Sequence, residues 1–398
     1  MTKTIYFVAG EVSGDNHGAA LMFALRRQAV DLNFIGRGGP QMRAIAGEGL
    51  NNWLDEAAVL GLWEVIKKYS YFREQFQETL DEIDEAKPNS VVLIDYPGFN
   101  LRLARALRQR SPKQKIIYYI SPQVWAWNRG RIAKMARFLD LMLCIFPFEA
   151  ELYNKSGLRT EFVGHPMIDQ LRPLTIDIER DPNLIGLFPG SRRREIRKIF
   201  PIMIQTARRL HQVKSNLRFE ISAASEELAH EINQALRPHL SPLPEGEGDA
   251  QRQVRESSGG ENKFSMSTQL LDAAGLMQRA YVGLVASGSA TLEAAYFRLP
   301  FVLVYKVAWP TYLAARLVVN VKHLGMPNVL ADKEVVPEFI QHRARPHAIA
   351  KAVLRLMDDP TARQKMISEF DTIIAKLGEG GASEKAALAI LNDLAGST

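Results

Sequence analysis

The chain of 398 residues contains almost no cysteine and lacks a long apolar run. Its single cysteine, Cys144, lies in the apolar stretch LMLCIF, so an internal disulfide is excluded and we expect a buried thiol in a reducing cytoplasm. No apolar stretch reaches the ~18 residues of a membrane-spanning helix. The opening residues MTKTIYFVAG run directly into an apolar strand candidate, and we therefore expect no signal peptide.

Several ligand-binding motifs are also missing. There is no D-x-D triplet and no group of histidine and cysteine residues at ligand spacing, so the sequence predicts neither a metal site nor a cofactor. RNA- and DNA-binding motifs are absent too, and nucleic acid is not an expected partner. The net charge of +6 and the pI near 9.2 instead favour a phosphorylated substrate or an anionic lipid surface.

The sequence does contain apolar strand candidates that alternate with helical patterns throughout its length. This alternation predicts an α/β protein with parallel sheets and crossover helices. The proline-containing stretch 164–181 has little periodicity and predicts a linker between two doubly wound domains that face a cleft. The strand candidates are Ile5–Val8, Phe34–Ile35, Val91–Ile94, Ile116–Ile120, Leu141–Phe146, Glu161–Val163, Leu184–Phe188, Arg218–Ser222, Tyr281–Val285 and Phe301–Tyr305.

The segment Ile5–Gln28 predicts a strand, a polar turn and a helix. We expect the turn to contain Gly10, Gly14 and Gly18, whose spacing fits neither G-x-G-x-x-G nor a P-loop. The turn therefore predicts a site for a ligand other than a dinucleotide or triphosphate, and an ordinary first βα unit is the alternative. The polar residues of the turn are Glu11, Ser13, Asp15, Asn16 and His17.

An acidic residue, Asp95, follows directly after the apolar strand candidate Val91–Ile94. A carboxylate in this position is costly to desolvate and its pKa rises easily, which suits a general base. The alternative is an N-cap for a helix that starts near Leu101. Because parallel strands end at one edge of a sheet, we expect Asp95 to lie near the first turn.

A second strand, turn and helix unit occurs at Pro189–Ile196, PGSRRREI. Here Gly190, Ser191 and Arg192 combine a helix N-terminus with positive charge, an arrangement that can bind a diphosphate. A solvated basic face is the alternative. Since no metal is predicted, we expect Arg192 and the helix dipoles to neutralise the charge on a leaving diphosphate.

A third unit follows the apolar strand candidate that ends at Val285. Ser287, Gly288 and Ser289 predict a helix start that binds an anion. One helical turn further, Glu293 can accept hydrogen bonds from both ribose hydroxyls of a nucleotide.

Aromatic residues occur on more than one face of any helix drawn through Ala57–Ala86. Core packing explains some of them. The remainder, interleaved with basic residues, predicts an interfacial element that contacts a bilayer, with Trp63, Tyr69 and Phe72 as candidate membrane contacts. A different stretch, Ser241–Lys263, has hardly an apolar residue and predicts a disordered surface insertion.

Together these motifs resemble those of the lipid-A-disaccharide synthases, inverting glycosyltransferases of the GT-B fold. The resemblance runs in order from the first strand to about residue 341. The matching segments are Ala9–Leu21, Gly38–Met42, Ile94–Asn100, Ser121–Ile132, Phe146–Glu149, Phe162–Pro166, Pro189–Ile196, Ala286–Ala295 and Pro327–Gln341.

The resemblance implies that UDP-2,3-diacylglucosamine donates its sugar to 2,3-diacylglucosamine 1-phosphate (lipid X), forming a β-1,6 disaccharide and UDP without a cofactor. It implies Asp95 as the base. Glu11 and Ser13, with Gly10 and Gly14, would lie on the acceptor side. It further implies a peripheral protein at the inner face of the cytoplasmic membrane. The residues implied on the UDP side are Arg192, Ser287, Glu293, Asn328 and Glu334, beside the turn residues Gly190, Ser191, Gly288 and Ser289.

The resemblance also implies domains at 1–168, which binds the acceptor and is completed by about 365–398, and at 169–364, which binds the UDP-sugar. The helical stretch Ser383–Leu394 would cross back to the first domain. Gly98 stands where many relatives carry a second acid, so Asp95 would act alone. A UDP-sugar 2-epimerase of the same fold and a non-catalytic nucleotide-sugar or lipid-binding protein are the alternative functions.

Overall fold

The computed structural model describes residues 2–54, 69–126, 130–236, 264, 266–309, 312–313 and 321–396. The chain forms two compact units. Unit 1 consists of Met1–Asp169 and Lys376–Thr398, and unit 2 consists of Gln170–Ala375. The predicted insertion at Ser241–Lys263 and the candidate membrane contact Trp63 lie outside the described residues, as does the side chain of Tyr69.

Unit 1 is built on a parallel sheet whose central strands are buried on both faces. Its strands are β1 (Lys3–Ala9), β2 (Leu32–Gly38), β3 (Leu50–Asn52), β4 (Ser90–Ile94), β5 (Ile116–Tyr119), β6 (Leu141–Cys144) and β7 (Thr160–Phe162). They are ordered β3-β2-β1-β4-β5-β6-β7, which is a doubly wound arrangement with its switch point between β1 and β4. The strands predicted for this half are confirmed, whereas the three-residue strand β3 was not predicted.

The helices of this part of the chain cover the two faces of the sheet. They are α1 (Val12–Gln28), α2 (Pro40–Ala46), α3 (Tyr69–Ala86), α4 (Pro97–Arg110), α5 (Gly130–Met135), α6 (Pro147–Lys155) and α7 (Met167–Leu171). One expectation was wrong. Helix α1 begins at Val12, so the turn after β1 contains only Gly10 and Glu11 and does not extend to Gly18. The stretch 164–181, expected to link the two domains, contains the boundary between unit 1 and unit 2 at Asp169–Gln170, together with α7 and the first residue of the next strand.

Unit 2 has a second parallel sheet of doubly wound topology. Its strands are β8 (Asp181–Phe188), β9 (Arg218–Ala223), β10 (Met266–Leu270), β11 (Ala280–Ala286), β12 (Phe301–Tyr305) and β13 (Glu338–Ile340). They are ordered β10-β9-β8-β11-β12-β13, so the switch point lies between β8 and β11. The helices are α8 (Arg193–Val213), α9 (Glu226–Leu236), α10 (Ala273–Arg279), α11 (Ala290–Tyr296), α12 (Met326–Ala331), α13 (Pro346–Asp358) and α14 (Pro360–Lys376).

Helix α15 (Ala382–Ala395) returns the chain to unit 1 and confirms the expectation for Ser383–Leu394. Its apolar face joins the buried core that contains Leu21 and Leu25 of α1. At its end, Asp393 pairs with Lys115 at 2.9 Å and with Arg159 at 2.7 Å. The core of unit 1 is therefore complete only with this helix. None of the helices within the described residues is both long and apolar enough to cross a membrane.

Candidate active site

The residue predicted as the base, Asp95, leaves the buried end of β4 in a left-handed backbone conformation. Its φ is +45°, and Tyr96 follows with a φ of +50°. Such conformations cost on the order of 1–3 kcal/mol for a residue other than glycine and persist only where the surroundings enforce them. The alternative role of Asp95 as an N-cap was wrong, because α4 begins at Pro97 and Tyr96 is its N-cap residue.

The Asp95 carboxyl group is partly buried, and its pKa is raised above the ordinary value of an aspartate. Burial, and then the Glu11 carboxylate, raise the pKa of Asp95 to about 6, although the Tyr96 N–H lowers it. A carboxylate with this pKa is ionised at pH 7 and is still basic enough to accept a proton from an alcohol as the alcohol attacks. The site therefore contains a group that can act as a general base.

The first turn lies next to Asp95 because β1 and β4 are neighbours, with Ala9 opposite Ile94. Gly10 is buried, and a β-carbon built on it would overlap the ring of Tyr96. Gly14 is buried as well, and its built β-carbon would lie 3.8 Å from the carbonyl oxygen of Ile94. Glu11 and Ser13, in contrast, are exposed. Only Gly10 is thus required for close packing, because a β-carbon on Gly14 would make ordinary van der Waals contacts. The two polar side chains are accessible at the switch point of the sheet.

Asp15 is a structural residue, which corrects the expectation that it belongs to the polar turn. It lies within α1, its side chain is buried, and its carboxylate accepts hydrogen bonds from the N–H groups of Gly39, Gln41 and Met42, each at 2.9 Å. These are N–H groups of the first turn of α2, which have no partners within that helix. Asp15 therefore caps α2 from α1.

Aromatic side chains surround the Tyr96 ring. Trp53 lies 6.3 Å and Phe99 lies 6.1 Å from it between ring centroids, and Phe76 of α3 packs against Phe99 at 5.6 Å. The Trp53 indole N–H donates to the carbonyl oxygen of Ala9 at 2.7 Å. Sequence patterns gave Trp53 no role, because its partners come from distant segments. The candidate membrane contact Phe72 is half-buried beside Tyr71, at 5.5 Å between ring centroids.

A buried carboxylate, Glu149 of α6, holds the segment that follows β5. It accepts hydrogen bonds from the hydroxyl of Ser121 at 2.5 Å, the indole N–H of Trp125 at 2.8 Å and the N–H of Phe146 at 3.3 Å. Burial raises the pKa of Glu149 to about 7, although the hydrogen bonds from these three neutral donors lower it. No role was predicted for Glu149, although an acidic residue beside the apolar run of β6 was a visible signal.

In unit 2 the turn after β8 contains the arginine cluster. Gly190 has a φ of +108°, which favours glycine, and Arg192 is the N-cap residue of α8. The Arg192 side chain is 78% exposed and lies 3.7 Å from Glu195, whereas Arg193 pairs with Glu231 at 2.9 Å. Arg192 consequently has most of its charge available for a ligand. Ser191 is exposed beside it.

The turn after β11 lies at the same edge of the sheet, because β11 pairs with β8 and Val285 is opposite Phe188. Gly288 has a φ of +140°, and a β-carbon built on it would meet open space. Ser289 is the N-cap residue of α11 and is exposed, and Ser287 is half-buried. Burial raises the pKa of the Glu293 carboxyl, and a hydrogen bond from the Ser289 side chain lowers it.

Two further residues predicted on the UDP side differ in exposure. Glu334 is exposed, whereas Asn328 is fully buried in α12. The Asn328 amide donates to the carbonyl oxygen of Val336 at 2.8 Å and to Glu338 at 2.9 Å, and its oxygen accepts from the N–H groups of Val335 and Val336. These bonds use both the amide N–H₂ group and the amide oxygen of Asn328. They fix the conformation of the segment that contains Glu334. Direct contact with UDP stays a prediction for both residues.

Comparison with known proteins agrees with this arrangement. A family described as "Lipid-A-disaccharide synthetase" matches residues 5–258 and 231–391. The lipid-A-disaccharide synthase of Geobacter sulfurreducens is 35% identical, covering 98% of this chain and 97% of its own. That of Acidobacterium capsulatum is 36% identical, covering 95% and 93%. That of Persephonella marina is 33% identical, covering 97% of each chain.

Solved structures of low sequence identity share the fold. A putative UDP-N-acetylglucosamine 2-epimerase from Listeria monocytogenes has a TM-score of 0.61 at 12% identity, covering 100% of this chain and 98% of its own. A transferase from Siraitia grosvenorii, solved in complex with UDP, has a TM-score of 0.56 at 11% identity, covering 98% and 99%. The predicted GT-B type fold is confirmed. The chain belongs to the lipid-A-disaccharide synthase family of glycosyltransferases.

Proposed function

We propose that this protein transfers 2,3-diacylglucosamine from UDP to the 6-hydroxyl group of 2,3-diacylglucosamine 1-phosphate. The products are the β-1,6-linked disaccharide 1-phosphate of lipid A and UDP. The observation that carries the proposal is Asp95, at the switch point of the unit 1 sheet, with a pKa raised to about 6. Its position supports general-base catalysis on an acceptor hydroxyl.

The reaction is a single displacement. The acceptor oxygen attacks the anomeric carbon of the donor, its proton passes to the Asp95 carboxylate, and the bond from the anomeric carbon to UDP breaks. UDP leaves with the bonding electron pair, and the configuration inverts. A well-placed base contributes ~10²–10⁴ in rate, equivalent to about 3–5 kcal/mol. An alcohol needs this assistance because it is a poor nucleophile at neutral pH.

We assign UDP to the switch point of the unit 2 sheet. Arg192 would contact the diphosphate, together with N–H groups of the turn at Gly190 and Ser191 and of the turn at 287–289. Glu293 would accept the ribose hydroxyls, and Glu334 would lie beside the donor. The exposure of Arg192 and its 3.7 Å separation from Glu195 support this assignment, because little of its charge is neutralised within the protein.

We assign the acceptor sugar to unit 1. Glu11 and Ser13 would hydrogen-bond it, with Gly10 in the turn and Gly14 in the first turn of α1 beside them. The exposure of both polar side chains and the effect of Glu11 on the pKa of Asp95 support this assignment. The bound acceptor would then lie next to the base.

We further propose that the protein binds peripherally to the inner face of the cytoplasmic membrane, where both acylated substrates occur. Phe72, at the start of α3, is consistent with it because its side chain is only half-buried and leaves part of the ring accessible to a bilayer. Trp63 and Tyr69 would extend this contact. Replacing Trp63 and Phe72 with serine should move the protein from membrane to soluble fractions, and unchanged partitioning would disprove the proposal.

The decisive experiment is a purified assay with both acylated substrates, in which disaccharide and free UDP are measured. We expect both products in equal amounts, and neither without the acceptor. The 2-epimerase alternative predicts an epimerised sugar or UDP in the absence of acceptor, and a binding protein would produce no turnover. The Asp95→Asn variant should bind UDP normally while its kcat falls at least about a hundredfold.

A further inference from the structure

The left-handed backbone of Asp95 is held by two side chains that donate to the same atom. The carbonyl oxygen of Asp95 accepts a hydrogen bond from the Tyr118 hydroxyl at 2.5 Å and from the Asn100 side-chain amide at 2.8 Å. Tyr118 belongs to β5 and Asn100 to α4. The donors therefore approach Asp95 from two different elements, and the Asp95 N–H is fixed as well, by the Tyr119 carbonyl oxygen at 3.0 Å.

We propose that Tyr118 and Asn100 are positioning residues, which hold Asp95 in its left-handed conformation and thereby set the direction in which its carboxylate leaves the sheet. This inference rests on the proposed function, in which Asp95 is the base. Neither residue would touch the substrates. Both would act through the geometry of the Asp95 main chain.

The Tyr118 hydroxyl is well suited to this role. The side chain is fully buried, and burial raises the pKa of Tyr118 well above its usual value, so the hydroxyl remains protonated as a donor. The neighbouring tyrosine, Tyr153, does not compete for it, because its own hydroxyl donates to the Pro122 carbonyl oxygen at 2.7 Å. The Tyr118 hydroxyl is therefore directed at Asp95 alone among the hydrogen bonds of the described residues.

The Asn100 side chain contacts the ends of β1 and β4 as well as Asp95. Besides its bond to Asp95, its side-chain N–H₂ group faces the carbonyl oxygens of Ile94 at 3.2 Å and Val8 at 3.4 Å. Asn100 is fully buried, and its side-chain oxygen has no hydrogen-bond partner among the described residues. The Asn100 N–H₂ group thus donates to Asp95 while the Asn100 side-chain oxygen stays buried without a donor. This arrangement is uncommon.

The physical consequence follows from the strain at Asp95. A non-glycine residue stays at positive φ only where its surroundings enforce the conformation. Without the two donors, Asp95 can relax towards the common regions of negative φ, and its carboxylate then moves away from the acceptor hydroxyl. A displacement of ~1 Å is enough to lower a rate about a hundredfold. Loss of one donor should have a smaller effect than loss of the carboxylate itself.

The chain offers a matched pair of variants for the test. Tyr118→Phe removes the hydroxyl that bonds Asp95, and Tyr119→Phe removes the hydroxyl of the next residue in β5, which is equally buried and has no hydrogen-bond partner among the described residues. We expect Tyr118→Phe to lower kcat about five- to tenfold, as for the loss of one hydrogen bond, with the UDP Kd unchanged. Tyr119→Phe should stay within about twofold of wild type. Equal kcat values for the two variants would overturn the proposal.

A double-mutant cycle separates positioning from general damage. In the Asp95→Asn background, Tyr118→Phe should have no further effect on the residual rate, since the base that it positions is already absent. A merely structural role would lower that residual rate by the same factor as in the wild-type background, and this result would also overturn the proposal. Asn100→Ala should behave like Tyr118→Phe in both backgrounds, with a cooperative thermal unfolding transition as the check on the folding of unit 1.

These outcomes distinguish the inference from the proposed function. If wild-type protein forms no disaccharide, or if Asp95→Asn is as active as wild type, the proposed function or its base is wrong. If Asp95→Asn is inactive while Tyr118→Phe and Tyr119→Phe are indistinguishable, the proposed function stands and the positioning role is wrong.

Discussion

The ring of Tyr96 lies on the backbone of Gly10. A β-carbon built on Gly10 would be 2.6 Å from Cγ of that ring, which is closer than any real contact. Tyr96 directly follows Asp95 and shares its left-handed conformation. A side chain at position 10 would therefore displace Asp95, the proposed base, through its neighbour.

Replacing Gly10 with alanine should lower both activity and stability. The new methyl group requires Tyr96 to move, and overpacking of this kind typically costs about 1–3 kcal/mol. We expect kcat for disaccharide formation to fall at least about tenfold, measured together with thermal unfolding. The matched control is Gly98→Ala, since a β-carbon there would meet nothing within 4 Å. Similar losses in the two variants would contradict the packing argument.

The pH dependence of activity should report the Asp95 carboxyl group. A base works in its deprotonated form, so kcat/KM should fall about tenfold per pH unit below its pKa, which burial and Glu11 raise to about 6. Removing the like charge in Glu11→Gln should move this acidic limb to lower pH. A profile measured on wild type and variant checks the prediction, and an unmoved limb would show that Glu11 does not influence the base.

Asp15→Asn should destabilise unit 1 without affecting nucleotide binding. Its carboxylate accepts three N–H groups at the start of α2, and an amide can accept them only with one oxygen. Loss of charged hydrogen bonds to a helix start costs about 1–3 kcal/mol. Chemical denaturation should show the loss, whereas UDP affinity should remain unchanged. The exposed residue Asp31 provides the control, Asp31→Asn, and a comparable destabilisation there would contradict the capping role.

Two adjacent arginines should differ in their effect on UDP affinity. Arg192 is mostly exposed, whereas Arg193 already pairs with Glu231 at 2.9 Å and Glu227 at 3.2 Å. A charged hydrogen bond to phosphate contributes about 1.5–3 kcal/mol, so Arg192→Ala should weaken UDP binding about 10- to 100-fold. Arg193→Ala should change it about twofold at most. Calorimetric titration distinguishes the two variants. A larger loss of affinity in Arg193→Ala would contradict the assignment of the diphosphate to Arg192.

Glu149 should make stability depend on pH in a defined direction. The pKa of its carboxyl is raised from 4.5 to about 7 on folding, so the folded state holds the proton more tightly and stability is lost as pH rises through this window. The loss amounts to roughly 3 kcal/mol. Relative to Glu149→Gln, wild type should therefore be more stable at pH 5 than at pH 8. Denaturation followed by tryptophan fluorescence measures the difference, and a pH-independent difference would refute it.

The sequence predicted the strands that position the site because their apolar runs are continuous and end in distinctive polar residues. Asp95 was found this way. The start of α1 was missed because VSGDNHG has the composition of a turn, and burial of Gly14 and Asp15 against the sheet overrides that local preference. Strand β3 was missed because it spans only three residues, two of which are asparagine, a residue depleted in strands.

Residues whose roles depend on tertiary contacts could not be assigned from the sequence. The polar character of Asp15 was evident, but its partners lie more than twenty residues away in α2. The same holds for Tyr118, whose hydroxyl reaches Asp95 only because β4 and β5 pair with Leu93 opposite it. The positive φ of Asp95 is likewise not visible in the sequence, since only a few per cent of non-glycine residues adopt one and tertiary contacts decide which.

The return of α15 to unit 1 has a consequence for the order of events during synthesis. Unit 2 is one continuous stretch, Gln170–Ala375, so all of its strands have left the ribosome before α15 is made. The core around Leu21 and Leu25 cannot be completed until Ile390 and Leu394 have been synthesised. Chains grow at roughly 5–20 residues per second, and the first half of unit 1 therefore spends about 10–40 s with an uncovered apolar surface. The unit that begins first is completed last.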